Sequence, residues 1–164
     1  MEFDFKETVF QYKDMIYRIA YTGCGNTYDA DDVVQDVFMS LYLEKSKFES
    51  EEHLKAWLIR VTVNRVKSHL RSFHIRKRAS IEDYIGYDNT CDNVDEKLMF
   101  RQIREAVTAL PYNYRIVVIL YYYCGYSCSE IAGFLKINEP TVRTRLKRAR
   151  ERLKKQLKED IFDE

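Results

Sequence analysis

The segment that most constrains the fold is a pair of helical patterns joined by a short break, SCSEIAGFLKINEPTVRTRLKRARERLKK at residues 127–155. Ser127 followed three residues later by Glu130 is a capping box, which predicts the start of the first helix. Pro140 lacks an amide proton and suits the first turn of a second helix, for which Asn138 is the predicted N-cap. These signals predict a helix-turn-helix.

The second helix of this motif is amphipathic and carries charge of nearly one sign. Its apolar residues, spaced by four, three, four and four positions, are Val142, Leu146, Ala149, Leu153 and Leu157. Residues 140–158 contain nine Lys or Arg and a single acid, Glu151. A solvated helix face usually mixes both signs at i,i+4 spacing, so a polyanionic partner explains this face better than water. In a helix-turn-helix, the second helix enters the major groove of DNA.

Charge is strongly segregated along the chain, although the formal net charge is only +1. Residues 57–80 contain seven Lys or Arg and no acid, whereas residues 81–96 contain six acids and no base. Residues 1–56 contain twelve acids and six bases. Two basic blocks separated by acidic ones predict two contacts with nucleic acid and at least one basic protein partner.

Acidic residues crowd the first two turns of a predicted helix, DADDVVQDVFMSLYLEK, for which Asp29 is the predicted N-cap. Acids in a first turn complement the helix dipole by ~0.3–1 kcal/mol each, which is the simpler explanation. That explanation does not cover Asp36, which stands in the second turn. A docking surface for a basic partner accounts for the whole set.

The pattern of the whole chain predicts an all-α fold of two small helical domains joined by an acidic linker, with the helix-turn-helix in the second. Residues 79–96 show no sustained apolar period, which marks them as the linker between residues 1–78 and residues 97–164. The first domain is expected to begin with a helix over residues 3–21 that turns Phe10, Ile16, Ile19 and Ala20 mostly inward.

A long helix is predicted from about Leu54 to Phe73, with the first basic block along its polar side. We expect Trp57 to pack in the core, because the single Trp of a small helical domain usually does. The strongly apolar residues 112–123 are predicted to form the scaffold helix behind the helix-turn-helix, and Gly125 is its predicted stop.

Composition and motifs argue against an enzyme, a cofactor or a membrane span. The four cysteines have no His close by and are expected to be buried, reduced and without metal: Cys24, Cys91, Cys124 and Cys128. The longest apolar run, residues 116–124, is too short to cross a bilayer, and the amino terminus has no signal-peptide pattern. No Gly-rich phosphate loop or nucleophile motif is present, so no small-molecule substrate is expected, and the predicted location is the cytoplasm.

Taken together, the two halves resemble one known family. The stretches DADDVVQDVFMSLY and HLKAWLIRVTVNRVKSHLRS resemble the amino-terminal domain of the extracytoplasmic-function (ECF) group of bacterial sigma factors. The stretch LPYNYRIVVILYYYCGYSCSEIAGFLKINEPTVRTRLKRARERL resembles their carboxy-terminal domain. Order, spacing and linker also fit, and the likeness covers roughly residues 5–158.

The resemblance implies a factor that binds core RNA polymerase, recognises promoter DNA and helps to melt it. The residues that it implies for binding core polymerase are Asp32, Gln35 and Asp36. Those implied for the minus-ten element are Asn64, Arg65, His69 and Arg71. Those implied for the minus-thirty-five element are Thr141, Arg143, Thr144, Arg145, Lys147 and Arg148. Phosphate contacts are expected from Arg145, Arg150 and Arg152. An anti-sigma factor commonly masks such proteins, and the holoenzyme would lie at the nucleoid.

A stand-alone helix-turn-helix regulator is the alternative. It would share the DNA-reading motif, but it would leave the acidic helix and the second basic helix unexplained. It would also normally need a dimerisation surface, and none is evident in the sequence.

Overall fold

The computed structural model describes residues 3–45, 47–77 and 94–162, and these residues form seven α-helices with no strand among them. Helices α1 to α7 span Phe5–Cys24, Thr27–Leu43, Glu51–Lys77, Val94–Ala109, Tyr112–Val118, Cys128–Leu135 and Glu139–Phe162. A π-helical turn, Ile119–Tyr123, continues α5. Within this described part, no helix combines the length and the apolar character that a membrane crossing requires. The prediction of an all-α fold is confirmed.

The turn between α1 and α2 is capped differently from the prediction. Gly25 ends α1 with a φ of 83°, a left-handed conformation that glycine adopts without steric cost. The side-chain oxygen of Asn26 accepts a hydrogen bond from the backbone N–H of Asp29 at 2.8 Å. The prediction of Asp29 as the N-cap is therefore wrong, because α2 begins at Thr27 and the Asn26 side chain already accepts from one of its first free N–H donors.

The buried face of α1 agrees with the prediction at Ile16, Ile19 and Ala20 but differs from it at Phe10. Phe10 is 77% exposed, whereas Thr8 and Tyr12 are buried. The Tyr12 hydroxyl donates to the Glu51 carboxylate on α3 at 2.9 Å. Burial, reinforced by this bond, raises the pKa of Tyr12 to about 12. The phenol therefore fills the core with its ring and keeps its polar end at the rim.

Helices α1, α2 and α3 enclose one apolar core. Its buried residues include Ile16, Ala20, Val33, Val37, Leu41, Phe48, Leu54, Leu58 and Val66. Trp57 packs against this core, with its ring centroid 5.6 Å from that of Phe48 in an edge-to-face arrangement. The prediction that Trp57 has a packing role is confirmed.

Helix α4 begins at Val94, so three residues of the segment predicted as linker are helical. Asp95 and Glu96 stand in its first turn, where the helix dipole favours acids. These two acids, which the sequence placed in the linker, therefore suit a helix start equally well. The preceding part of the predicted linker, residues 79–93, lies outside the described residues.

The helix-turn-helix is formed by α6 and α7, and its caps match the prediction. The Ser127 hydroxyl accepts from the Glu130 N–H at 3.2 Å, and the Glu130 carboxylate accepts from the Ser127 N–H at 2.8 Å. Lys136 ends α6 in the left-handed region with a φ of 53°. The Asn138 side-chain oxygen then accepts from the Thr141 N–H at 2.8 Å, which caps α7.

The two halves of the chain pack directly against each other. Ile19, Ile59 and Val63 of the first half belong to the same apolar cluster as the buried residues of α5, α6 and α7. The hydroxyl of Tyr112, at the start of α5, donates to the Val63 carbonyl on α3 at 2.8 Å. The two helical domains therefore share part of one core.

Candidate protein and nucleic-acid interfaces

The three predicted polymerase-binding residues share the outer face of α2. Gln35 and Asp36 are exposed and Asp32 is half-buried. Their i, i+3 and i+4 spacing places them on one side of the helix, while Val33 and Val37 enter the core. The face is acidic and accessible, as a basic partner helix would require.

The four predicted minus-ten residues lie along α3. Asn64, Arg65 and Arg71 are exposed and His69 is half-buried, whereas Val66 is fully buried between them. Helix α3 therefore turns its apolar residues into the two cores and leaves a basic, polar side open to a ligand.

The acidic and basic faces meet along a common border, which the sequence did not reveal. Arg65 Nη1 lies 4.0 Å from a carboxylate oxygen of Asp36, and its Nη2 donates to the Ser40 hydroxyl at 3.2 Å. His69 Nδ1 lies 3.9 Å from a carboxylate oxygen of Asp29. The Arg65 and Asp36 side chains are about half exposed, so their pairing contributes at most about 1 kcal/mol and leaves both available to partners.

The exposed face of α7 lies opposite its buried stripe. Arg143, Thr144, Lys147 and Arg148 are exposed, whereas Val142, Leu146 and Ala149 are buried against α5 and α6. The four exposed residues form one basic face that takes no part in the core. An α-helix with such a face fits the width of a DNA major groove.

Side chains on and beside this face differ in the hydrogen bonds and ion pairs that they already form within the protein. The Arg143 guanidinium donates to the Glu139 carboxylate, and this bond raises the pKa of Arg143. The Thr144 hydroxyl donates to a carbonyl of the preceding turn at 2.9 Å. Arg145 is half-buried. Arg148 is exposed and forms no ion pair within the described part of the chain.

Each cysteine that the structure describes is partly buried. Cys24, Cys124 and Cys128 are half-buried free thiols. Burial raises the pKa of Cys24 to about 12 and that of Cys124 to about 11. The part of the chain that the structure describes holds no group of three or more His, Cys, Asp or Glu placed to bind a metal. Cys91 lies outside the described residues.

Comparison with known proteins matches both halves to one family. Residues 9–75 match the Sigma-70 region 2 family, and residues 100–153 match Sigma-70, region 4. The chain is 30% identical to the ECF RNA polymerase sigma factor SigW of Bacillus subtilis over 167 residues, covering 94% of this chain and 89% of that protein.

Two solved structures have a similar fold. One is the sigma factor RpoE in complex with the anti-sigma factor NepR from Bartonella quintana, with a TM-score of 0.74, 25% identity and coverage of 94% of this chain and 97% of that chain. The other is CnrH in complex with the cytosolic domain of CnrY, with a TM-score of 0.70, 23% identity and coverage of 95% and 88%. The second supports the fold alone. From its sequence matches and its structure, this chain belongs to the ECF group of RNA polymerase sigma factors.

Proposed function

We propose that this sigma factor docks on core RNA polymerase with the acidic face of α2, and reads promoter DNA with α3 and α7. The observation that carries the proposal is that each of these helices buries an apolar stripe and exposes a polar face of consistent charge. One acidic face and two basic faces match the needs of one basic protein partner and two segments of nucleic acid.

The acidic face would bind a basic helical surface of core polymerase through Asp32, Gln35 and Asp36. The first domain, residues 1–78, would combine this docking with recognition and melting of the minus-ten element. Melted DNA offers unstacked bases, and exposed polar side chains on a basic helix can bond their edges while the charge holds the backbone. The side chains proposed for this role are Asn64, Arg65, His69 and Arg71.

The second domain, residues 97–164, would place α7 in the major groove of the minus-thirty-five element. Residues near the middle of the exposed face can reach base edges, whereas residues on its flanks meet the phosphates. The proposed base-reading residues are Arg143, Thr144, Lys147 and Arg148. The proposed flanking residues are Thr141 and Arg145.

In this role the protein is an initiation factor rather than an enzyme, and it needs no cofactor or small-molecule substrate. We place it in the cytoplasm, at the nucleoid when it is part of the holoenzyme. An anti-sigma factor is a further proposed partner, because one similar solved structure contains the sigma factor RpoE in complex with the anti-sigma factor NepR.

The test is run-off transcription on a selected promoter library, with and without core polymerase. Wild type should direct core-dependent initiation, and reversal of charge in Asp32→Lys/Asp36→Lys should abolish association with core. The matched control is Glu7→Lys/Asp14→Lys, which changes the net charge equally at exposed positions of α1. Wild-type association of the α2 variant with core would show that the docking face is assigned wrongly.

The stand-alone regulator is not favoured, because the first half of the chain matches sigma region 2. The discriminating measurement is a gel shift with the isolated chain. We expect weak binding with little sequence preference, since the two basic faces lie on different domains beside acidic segments. Tight and specific binding without polymerase would favour the regulator instead.

A further inference from the structure

Glu139 is the one acid in residues 139–149, the first three turns of α7, which also hold every residue proposed above to read the minus-thirty-five bases. The other charged residues of these turns are all Lys or Arg. DNA is a polyanion, so an acid at this end of a groove-binding helix lowers the affinity for every duplex. The N-terminal residues of such a helix are also the ones that contact base edges. A carboxylate at this position therefore has a cost for binding that some other effect must offset.

The Glu139 carboxylate holds one edge of the Arg143 guanidinium. Nε and Nη2 of Arg143 both donate to the same oxygen, Oε1, the first at 3.1 Å. These bonds leave the two N–H groups of Nη1 and one N–H of Nη2 at the far end of the guanidinium. Two adjacent N–H donors are what an arginine presents to O6 and N7 of guanine. Arg143 is therefore restrained and is still able to bond a guanine edge end-on.

The turn that carries Glu139 is itself fixed by hydrogen bonds. Asn138 Oδ1 accepts from the Thr141 N–H at 2.8 Å and also from the Thr141 hydroxyl. Pro140 has a locked φ and needs no partner for an amide proton in this first turn. The Thr144 hydroxyl donates to the Pro140 carbonyl at 2.9 Å. The carboxylate is therefore attached to a rigid turn and can act as a fixed anchor.

The restraint matters because an unrestrained arginine on this surface does not discriminate between sequences. The Arg143 side chain is 67% exposed, whereas that of Glu139 is 38% exposed. Without the carboxylate, the guanidinium can turn to any phosphate within its reach, and phosphates carry no sequence information. A side chain that is already ordered also loses less rotamer freedom when it binds. The pairing therefore lowers affinity for DNA in general and raises discrimination between bases.

A role in starting the helix is the simpler explanation of Glu139. An acid in the first turn complements the helix dipole, and an i,i+4 pair with Arg143 stabilises α7 slightly. Both effects act on folding and are the same for every DNA sequence that α7 meets. Base preference is therefore the property that separates the two explanations.

We propose that Glu139 is a positioning residue for the minus-thirty-five element, and that it holds Arg143 so that the guanidinium meets one guanine end-on. The inference rests on the proposed reading of promoter DNA by α7. It deepens that proposal by assigning part of the base specificity to a residue that does not itself bond a base.

The first test measures affinity and base preference separately, with holoenzymes and promoters randomised in the minus-thirty-five element, at one fixed salt concentration. Glu139→Ala should bind the whole library about two- to fivefold more tightly, because an acid no longer repels the backbone. Its discrimination at one position should fall about two- to tenfold, the factor by which immobilising one rotamer-rich side chain weakens binding.

Glu151→Ala is the matched control for this test. Glu151 is an exposed acid of the same helix, and no ion pair engages it among the residues that the structure describes. The substitution makes the same charge change beyond the proposed base-reading residues. It should also tighten binding to the whole library, but it should keep the wild-type base preference.

The second test asks whether the effect of Glu139 passes through Arg143. In an Arg143→Ala background, Glu139→Ala should leave the remaining base preference unchanged, because no guanidinium is left to position. Glu139→Gln keeps an acceptor oxygen at the same reach and should retain more of the preference than Glu139→Ala does. A role limited to the helix start predicts equal effects of Gln and Ala, since both remove the charge.

Failure of the inference is distinguishable from failure of the proposed function. If wild type shows a core-dependent preference in the minus-thirty-five element and Glu139→Ala keeps it, Glu139 does not position Arg143. A loss of preference that persists in the Arg143→Ala background would also overturn the inference, because Glu139 would then bond a base itself. If wild type shows no core-dependent preference in this element, the proposed function itself fails.

Discussion

Arg115 on α5 donates from Nη1 to the backbone carbonyl of Gly23 on α1 at 2.8 Å, joining residues 92 positions apart. Its Nη2 donates to the Leu110 carbonyl at 3.0 Å and to the Thr108 carbonyl. The side chain is only 8% exposed, and burial lowers its pKa from the ordinary value. One guanidinium thus ties the end of α4 and the start of α5 to the last turn of α1.

Replacing Arg115 with Met should destabilise the protein by about 2–4 kcal/mol, because buried carbonyls lose a charged donor. Urea unfolding, monitored by circular dichroism, measures the change in the free energy of unfolding. Arg101→Met is the control on exposed α4 surface, and should change the stability by less than about 0.5 kcal/mol. Equal effects of the two substitutions would mean that water replaces Arg115 at these carbonyls.

A pair of glycine substitutions should have opposite effects on the free energy of unfolding. Gly25 has a φ of 83°, and an added Cβ would lie 3.1 Å from the Thr108 methyl carbon, so Gly25→Ala should cost about 1–2 kcal/mol. Gly133 lies within α6 and an added Cβ would meet nothing within 4 Å. Gly133→Ala should therefore stabilise by about 0.5–1 kcal/mol. Thermal unfolding of both variants checks the two signs.

Local signals in the sequence predicted local structure well. The capping box at Ser127 and the cap at Asn138 are formed by side chains three residues from their partners, so spacing alone reveals them. The buried stripe of α7 likewise follows from helical periodicity. Phe10 was misassigned, because an apolar side chain on an amphipathic helix does not itself tell which neighbouring face is buried.

No local signal in the sequence predicted the contacts between the two halves of the chain. Ile59 and Val63 have the same apolar character as residues that stay within the first core, so periodicity cannot show that they join the second. The partners of Arg115 and Tyr112 are backbone carbonyls, which any residue can present. The border pairing of Arg65 with Asp36 likewise depends on how α2 and α3 pack, which spacing along the chain does not determine.

The half-buried cysteines should resist alkylation in the native protein. The pKa is raised to about 12 for Cys24 and to about 11 for Cys124, and only the thiolate reacts. At pH 7.5 we expect both to react with iodoacetamide at least about tenfold more slowly than in urea, where the thiol pKa returns to about 8.5. Peptide mass spectrometry gives the rate for each cysteine. Rapid native labelling of Cys24 would show that the turn after α1 opens readily.

Arg148→Ala should relax the base preference of the minus-thirty-five contact. Arg148 lies on the exposed face of α7 and no ion pair engages it in the described part of the chain. Arg143 on the same face bonds Glu139, so part of its donor capacity is already used. An Arg that bonds a guanine edge contributes ~1–3 kcal/mol of discrimination, whereas an Arg on a phosphate contributes about equally to all sequences.

Promoter selection with wild-type, Arg148→Ala and Arg143→Ala holoenzymes at one fixed salt concentration measures this difference, because affinity depends steeply on salt. Arg148→Ala should lose preference at one or two upstream positions with the minus-ten preference unchanged, and Arg143→Ala should show a smaller change. A uniform loss on all promoters would make Arg148 a backbone contact, like the flanking Arg145. A changed minus-ten preference would mean that α3 and α7 are assigned to the wrong promoter elements.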